Sequence, residues 1–278
     1  MSRYVSDLVV AEFDRDVKQE YAANANLRAT VKVKSGVTGA TCRFQKSAQG
    51  IANKKSAQAD VVPMNIDYSY VTATLEDWNA PEYTDLFDAP KINFDEKAEL
   101  VSLSAKAIAR REDQIIIDAL EDGATTLTVA KTVGGVNTMN TAKFREAKRL
   151  MDFNNVPGDG RTFLMSSEAL YDMLGDTDAD NFDTNAVKAL VSGELNTWLG
   201  FKIISLGHMP EGGLPKATNT RKAFAYVSSC LGYCIGMDMR AEVNYVPQKT
   251  SWLVNTLFSA GAIAIDKNGM VTISHVEQ

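Results

Sequence analysis

A chain of 278 residues, 45% hydrophobic and 23% charged, is long enough for one large domain or two closely joined ones and excludes disorder over most of its length. A net charge of −6 argues against coating nucleic acid as the main task. No apolar run reaches the roughly 18 residues that a bilayer span needs, and Met1-Ser2-Arg3-Tyr4 leads into an acidic stretch rather than an apolar signal core, so no membrane partner and a cytoplasm-like compartment are expected.

The charge is unevenly placed. Tyr21 to Ala59 contains no Asp or Glu, but it carries Arg28, Lys32, Lys34, Arg43, Lys46, Lys54 and Lys55. That segment holds +7 of a total of −6, so the remainder carries −13. Two readings fit: an arm laid over an acidic neighbouring copy, or a solvated loop with a chance bias.

Residues from about Ser6 to Leu27 show scattered apolar positions that suit a short amphipathic helix or an extended arm. Thr30 to Gly36 alternates like a strand. Gly36 to Asp60 is small, polar and basic, with too little apolar content to pack inside its own subunit. A second strand pattern spans Met64 to Leu75, so the two strands and the polar excursion between them predict a protruding β-hairpin. Asn93 with Glu96 then has the form of a capping box. It opens a helical pattern through Leu100, Leu103, Ala107, Ile108, Ile115 and Ala119 that stops near Gly123, ~42 Å long at the usual rise.

Gly134-Gly135 reads as a hairpin signal, followed by a helix from Thr141 to Asn154 with Phe144, Ala147, Leu150 and Met151 inward. Strand, helix, helix and strand are expected at Arg161–Met165, Ser167–Leu174, Thr184–Val191 and Phe201–Leu206. Further strands are expected at Ala223–Val227, Ala241–Val246, Trp252–Ala264 and Met270–Val276, the last two joined by a tight hairpin at Asp266-Lys267-Asn268-Gly269.

No catalytic, cofactor or metal residue is assigned. Phosphate-loop, dinucleotide, nucleophile-elbow and His-Glu-x-x-His signatures are missing. His208 is expected in a turn and His275 half-exposed in a terminal strand. Cys42, Cys230 and Cys234 are too few for a disulfide framework, and Cys230 and Cys234 read as small core residues. Asp176, Asp178 and Asp180 resemble the start of a calcium loop, but Asn181 replaces the required glycine and Val187 the bidentate glutamate. A hydrolase working through Asp and Glu residues is a distant alternative with no histidine or metal constellation behind it.

Several segments in order carry a family resemblance. Thr74-Leu75-Glu76-Asp77-Trp78-Asn79-Ala80-Pro81-Glu82-Tyr83-Thr84-Asp85, the helix start Asn93-Phe94-Asp95-Glu96, Ala109-Arg110-Arg111-Glu112-Asp113-Gln114-Ile115-Ile116-Ile117-Asp118-Ala119-Leu120 and Ser259-Ala260-Gly261-Ala262-Ile263-Ala264-Ile265-Asp266 resemble phage capsid proteins. Gly160 to Ser166 and Leu199 to Ile204 are similar to elements of the axial domain of the same family. The resemblance is to the major capsid proteins of tailed bacteriophages, whose fold is named after phage Hong Kong 97.

It implies an α+β chain divided as follows: an N-terminal arm at 1–32, an extended β-hairpin loop at 33–75, a peripheral domain at 76–136 with a spine helix at 94–122, an axial domain at 137–240, and strands returning through both domains at 241–278. It implies a virion protein, assembled in the host cytoplasm, that forms hexamers and pentamers of an icosahedral head around double-stranded DNA touched non-specifically. Scaffolding, portal and decoration proteins are the implied partners. Arg28, Lys32, Lys34, Arg43, Phe44, Lys46, Lys54, Lys55, Trp78, Glu82, Arg110 and Arg111 are the expected inter-subunit contacts. Lysine crosslinking of the kind known in the family would fall on Lys46, Lys54 or Lys55. An encapsulin-type bacterial compartment shares the fold and is the alternative.

Overall fold

A computed structural model describes residues 27–47, 50–58, 60–61, 63–64, 66–85, 96–175 and 197–277. The expected arm before Leu27, the capping box at Asn93, the acidic loop at 176–183 and the helix at Thr184–Val191 lie outside the described residues.

The spine helix, α1, runs from Glu96 to Gly123. From Ala105 onward it buries residues on several faces, including Ile108, Ile115, Ile116, Ile117 and Leu120. A helix with buried residues on several faces must be covered on more than one side, and α1 is the central beam of the subunit. Leu103, expected inward, is 54% exposed, because burial begins only two residues later.

On one side of α1 lies a four-stranded sheet. Its strands are β1 (Lys32–Ser35), β4 (Glu76–Asp85), β11 (Leu231–Val246) and β12 (Ser251–Ala264), in the order β1-β11-β12-β4. β1 runs parallel to β11, and the other pairs are antiparallel. β11 is far longer than the expected Ala241–Val246. Its first half carries Gly232 and Gly236, which weaken a strand reading in sequence and which tertiary contacts here require.

A seven-stranded sheet forms the second body, in the order β5 (Leu127–Val129), β13 (Met270–Val276), β10 (Thr220–Val227), β6 (Arg161–Ser166), β8 (Phe201–Leu206) and β7 (Thr197–Trp198). The short β9 (Lys216–Ala217) also pairs with β10. All six residues of β6 are buried, as suits a strand with neighbours on both edges and cover on both faces. Helix α2 (Thr141–Phe153) is capped by Asn140, whose side chain accepts from the Lys143 N–H at 2.9 Å. Phe144 drops from it onto Phe163 at 4.2 Å, Trp198 at 4.7 Å and Phe201 at 5.2 Å between ring centroids. Helix α3 (Ser167–Leu174) is capped by Ser166.

Three expected connections differ. The hairpin partner of β3 (Tyr68–Thr74) is β2 (Thr41–Ser47), not the Thr30–Gly36 segment, which joins the four-stranded sheet. Gly134 and Gly135 adopt positive φ in a loop that leads into α2, while β5 pairs in parallel with the distant β13. Asp266 to Gly269 is not a hairpin turn. Neither Asn268 nor Gly269 has positive φ, the Asp266 carboxylate accepts from the Asn268 N–H at 3.2 Å, and the 3-10 turn carries the chain from β12 in one sheet to β13 in the other.

Candidate assembly surface

The β2–β3 hairpin has a packed root and an open tip. At the root, alternation turns Cys42 and Phe44 inward, where they form a small cluster with Ala73, Cys234 and Ile265. Two inward side chains are enough because a hairpin has only one face to bury, so the expectation that Gly36–Asp60 cannot pack in its own subunit is corrected for this stretch. Phe44, expected at an inter-subunit contact, is 4% exposed and lies over Gly232 of its own chain. A Cβ at Gly232 would sit 2.8 Å from the Phe44 ring, and one at Gly261 2.1 Å from the Thr74 carbonyl oxygen. Bare backbone at these two points admits the hairpin against the sheet. The Leu75 N–H donates to the Ala40 carbonyl at 3.0 Å, and Lys46 donates to Asp266 at 3.0 Å. Burial pushes the Cys234 thiol up to about 11, and it donates to the Gly261 carbonyl at 3.1 Å.

Beyond the root the chain is exposed. Ile51 and Tyr68 are each 79% exposed, Val61 is 74% exposed, and Lys54 and Lys55 are exposed with them. Arg43 stacks on Tyr70, 4.7 Å from its ring centroid. This tip combines apolar, aromatic and basic groups on a stalk.

The start of the described chain is tied to α1. The Leu27 N–H donates to the buried Asp113 at 3.1 Å. Arg28 lies 3.8 Å from Glu112 and 3.5 Å from Asp238. Thr30 and Tyr226 share a hydroxyl–hydroxyl contact of 2.5 Å. Glu112 is fully buried beside Tyr233. Loss of water pushes its carboxyl up to about 7, Asp113 and Asp238 add to the rise, and the Tyr233 hydroxyl opposes it.

Farther along α1, Arg111 stacks over Trp78 at 3.5 Å and reaches Glu211 at 3.7 Å. Gln114 accepts from the Gly212 N–H at 2.9 Å. Arg110 and Lys106 line a cleft of about 290 Å³ against residues 205–212. Glu82 is exposed on β4. Of the expected contact residues, Arg28, Arg43, Phe44, Lys46, Trp78 and Arg111 therefore have partners within their own chain, Arg110 lines the cleft, and Lys32, Lys34, Lys54, Lys55 and Glu82 face outward.

The chain end is clasped into the seven-stranded sheet. Glu277 is buried and accepts from Ser166, from Arg221 Nε at 2.6 Å and from His275 Nε2 at 3.3 Å, with Lys216 at 3.5 Å. Burial works against its ionisation, but the Ser166 hydroxyl, Arg221 and His275 together hold the carboxyl below its ordinary range. His275, expected half-exposed, is fully buried because β13 is an interior strand between β5 and β10, and burial lowers its pKa. His208 is exposed in a bend and its Nδ1 meets Arg221. Cys42, Cys230 and Cys234 are buried free thiols. Among the described residues no group of three His, Cys, Asp or Glu side chains is placed to hold a metal ion, and no described helix is long and apolar enough to cross a membrane.

Sequence reading missed Glu112, Asp113 and Glu277. The first two did leave a signal: an acidic pair set between the apolar positions Ile108 and Ile115 of α1.

A jutting hairpin, a spine helix between two sheets and a chain end sewn into the second sheet form one architecture, and the model of the phage capsid protein family matches residues 5–277 of it. The chain belongs to the phage capsid protein family. Solved structures agree in fold. The capsid of the cyanophage P-SCSP1u is 15% identical, with a TM-score of 0.70 over 90% of this chain and 87% of that one. The head of the Helicobacter pylori bacteriophage KHP40 is 12% identical, with a TM-score of 0.72 over 92% and 91%. A virus-like particle from Pyrococcus furiosus is 10% identical, with a TM-score of 0.63 over 95% and 99%. No curated protein sequence matches the chain. The fold is the α+β Hong Kong 97 type, and membership of the phage capsid family makes the chain a structural, major capsid protein of the virion and weakens the encapsulin alternative.

Proposed function

We propose that this capsid protein self-assembles into hexamers and pentamers that close an icosahedral head around double-stranded DNA, and that it does so in the host cytoplasm. The observation that supports this best is the hairpin: its root is packed on its own subunit, while its tip presents Ile51, Val61, Tyr68, Lys54 and Lys55 to solvent. Apolar groups on a stalk invite a partner surface. A hairpin that grips the next copy accounts for both halves. In this reading 1–32 is an arm, 33–75 an extended loop, 76–136 a peripheral domain, 137–240 an axial domain, and 241–278 returns through both. Lys32, Lys34, Arg43, Lys54, Lys55 and Glu82 carry the contacts between copies. Scaffolding, portal and decoration proteins and packaged DNA are further partners. The subunit acts by geometry rather than by chemistry.

Sedimentation velocity and electron microscopy of the purified protein, with and without co-expressed scaffold, test the proposal. Rings or shells are expected, and a chain that stays monomeric under all conditions overturns it. Replacing residues 50–66 with a short Gly-Ser linker spares the packed root. The subunit should keep its fold by circular dichroism and lose shell assembly.

A further inference from the structure

The two outer strands of the four-stranded sheet carry opposite charge. Among the described residues β1 lies at one edge and β4 at the other. All four residues of β1 are exposed, Lys32 and Lys34 among them, although the strand is hydrogen-bonded to β11. Beside it runs a groove of about 500 Å³ lined by Lys32, Val33, Lys34, Arg43, Phe44 and Gln45, with no acidic side chain. β4 exposes Glu76, Asp77 and Glu82. No described residue forms an ion pair with Lys32, Lys34, Arg43, Glu76, Asp77 or Glu82.

We propose that the four-stranded sheet continues from one copy into the next, the acidic β4 edge of one subunit seating in the basic groove and pairing with the β1 edge of its neighbour. The inference rests on the reading of the chain as a self-assembling shell subunit and names the surface through which copies meet. An open edge presents a row of backbone donors and acceptors that another strand can satisfy. Charge decides which strand. Pairing β1 with β1, or β4 with β4, sets like charges opposite one another, whereas β1 with β4 sets lysines against carboxylates. Unlike edges give a head-to-tail contact, and a head-to-tail contact closes into a ring when its rotation allows.

Pro81 shapes the acceptable register. It has no N–H to give and belongs on an edge strand. It divides β4 into Glu76–Ala80 and Glu82–Asp85, each able to meet the four residues of β1 over ~13 Å. It also interrupts any long pairing of two β4 edges. The hairpin that forms the far wall of the groove through Arg43, Phe44 and Gln45 would then lie over the inserted edge of the neighbour.

Charge reversal tests this. K32E/K34E/R43E makes both edges acidic, and E76K/D77K/E82K makes both basic. Each triple variant alone is expected to yield at least tenfold fewer rings and shells than the unmodified protein by sedimentation velocity and negative-stain microscopy. An equimolar mixture of the two should recover assembly of six-membered rings, in which the variants alternate and every contact joins unlike edges. The sixfold variant should recover it as well, and it keeps the net charge of −6. Circular dichroism and thermal melts check that each variant is folded. The single reversals K34E and E82K, tested alone and mixed, take the place of any triple variant that is not. Recovery on mixing and in the sixfold variant supports edge pairing. Assembly undisturbed by the triple variants, or no recovery in either complementary case, overturns it while leaving the shell reading intact. Failure of the unmodified protein to form rings or shells overturns both.

Discussion

Two buried glutamates lie beside the two ends of the described chain, and their carboxyls are shifted in opposite directions. Glu277 is surrounded by donors: the Ser166 hydroxyl, Arg221 at 2.6 Å, His275 at 3.3 Å and Lys216 at 3.5 Å. Its carboxyl is held below the ordinary range despite burial. Glu112 is as deeply buried, but Arg28 stands off at 3.8 Å and Asp113 and Asp238 are close by, so its carboxyl is pushed up to about 7. Burial alone does not set the charge of an acid; the donors that replace water do. The consequence is mechanical. The chain end is clasped wherever Glu277 is ionised, whereas the segment that starts at Leu27 lies beside a carboxyl that changes state near neutrality.

The largest effect is expected at the clasp. Glu277→Ala strands Arg221 in the interior without its carboxylate and should cost about 3–5 kcal/mol in urea unfolding of the isolated subunit. A change below ~1 kcal/mol would mean that water already satisfies Arg221.

Glu112→Gln should act in the opposite direction. The unfolded chain releases this proton near 4.5 and the folded one near 7. Between those values only the folded state keeps it, so rising pH destabilises the fold until the buried group ionises. The substitution should therefore stabilise the subunit at pH 8 by up to about 3 kcal/mol, have little effect below pH 4.5, and remove that part of the pH slope. Unfolding midpoints at pH 5 and pH 8 measure this, and equal midpoint shifts at the two pH values would refute the assignment.

Ser166→Ala sharpens the contrast on a smaller scale. It removes a donor to Glu277 and the cap of α3, where the Ala169 N–H donates to Ser166 at 3.1 Å. A loss of about 1–2 kcal/mol is expected, shared between clasp and cap. Arg28→Ala should cost least, under about 1 kcal/mol, because this pair is long and partly open to solvent. Partial proteolysis near Leu27 would show whether this segment loosens before global stability changes.

Much of the molecule was legible along the chain. The periodicity of α1 and the strand at Met270–Val276 were read close to their observed bounds, because each carries an uninterrupted local pattern. Charge bias marked the basic hairpin. Misreadings arose where a local rule met a distant partner. Asn268-Gly269 has the chemistry of a tight hairpin, but the strands on either side belong to different sheets. Thr30–Gly36 alternates like one arm of a hairpin, yet its neighbour is β11, some 200 residues away. Phe44 read as exposed because Gly232, which makes room for it, is equally distant in sequence. His275 read as half-exposed because nothing local shows that β13 has neighbours on both edges.

By itself the sequence determined the three described helices and several of the strands, the basic hairpin on an acidic body and, through the order of its segments, the capsid family. Periodicity and charge are properties of neighbours along a chain, and they survive without knowledge of the fold. Only the tertiary structure decided which described strands lie at sheet edges, which predicted contact residues already have partners at home, and in which direction each of two buried glutamates is shifted. Those depend on groups far apart in sequence meeting where water is excluded, and there a shift of one donor outweighs any local preference.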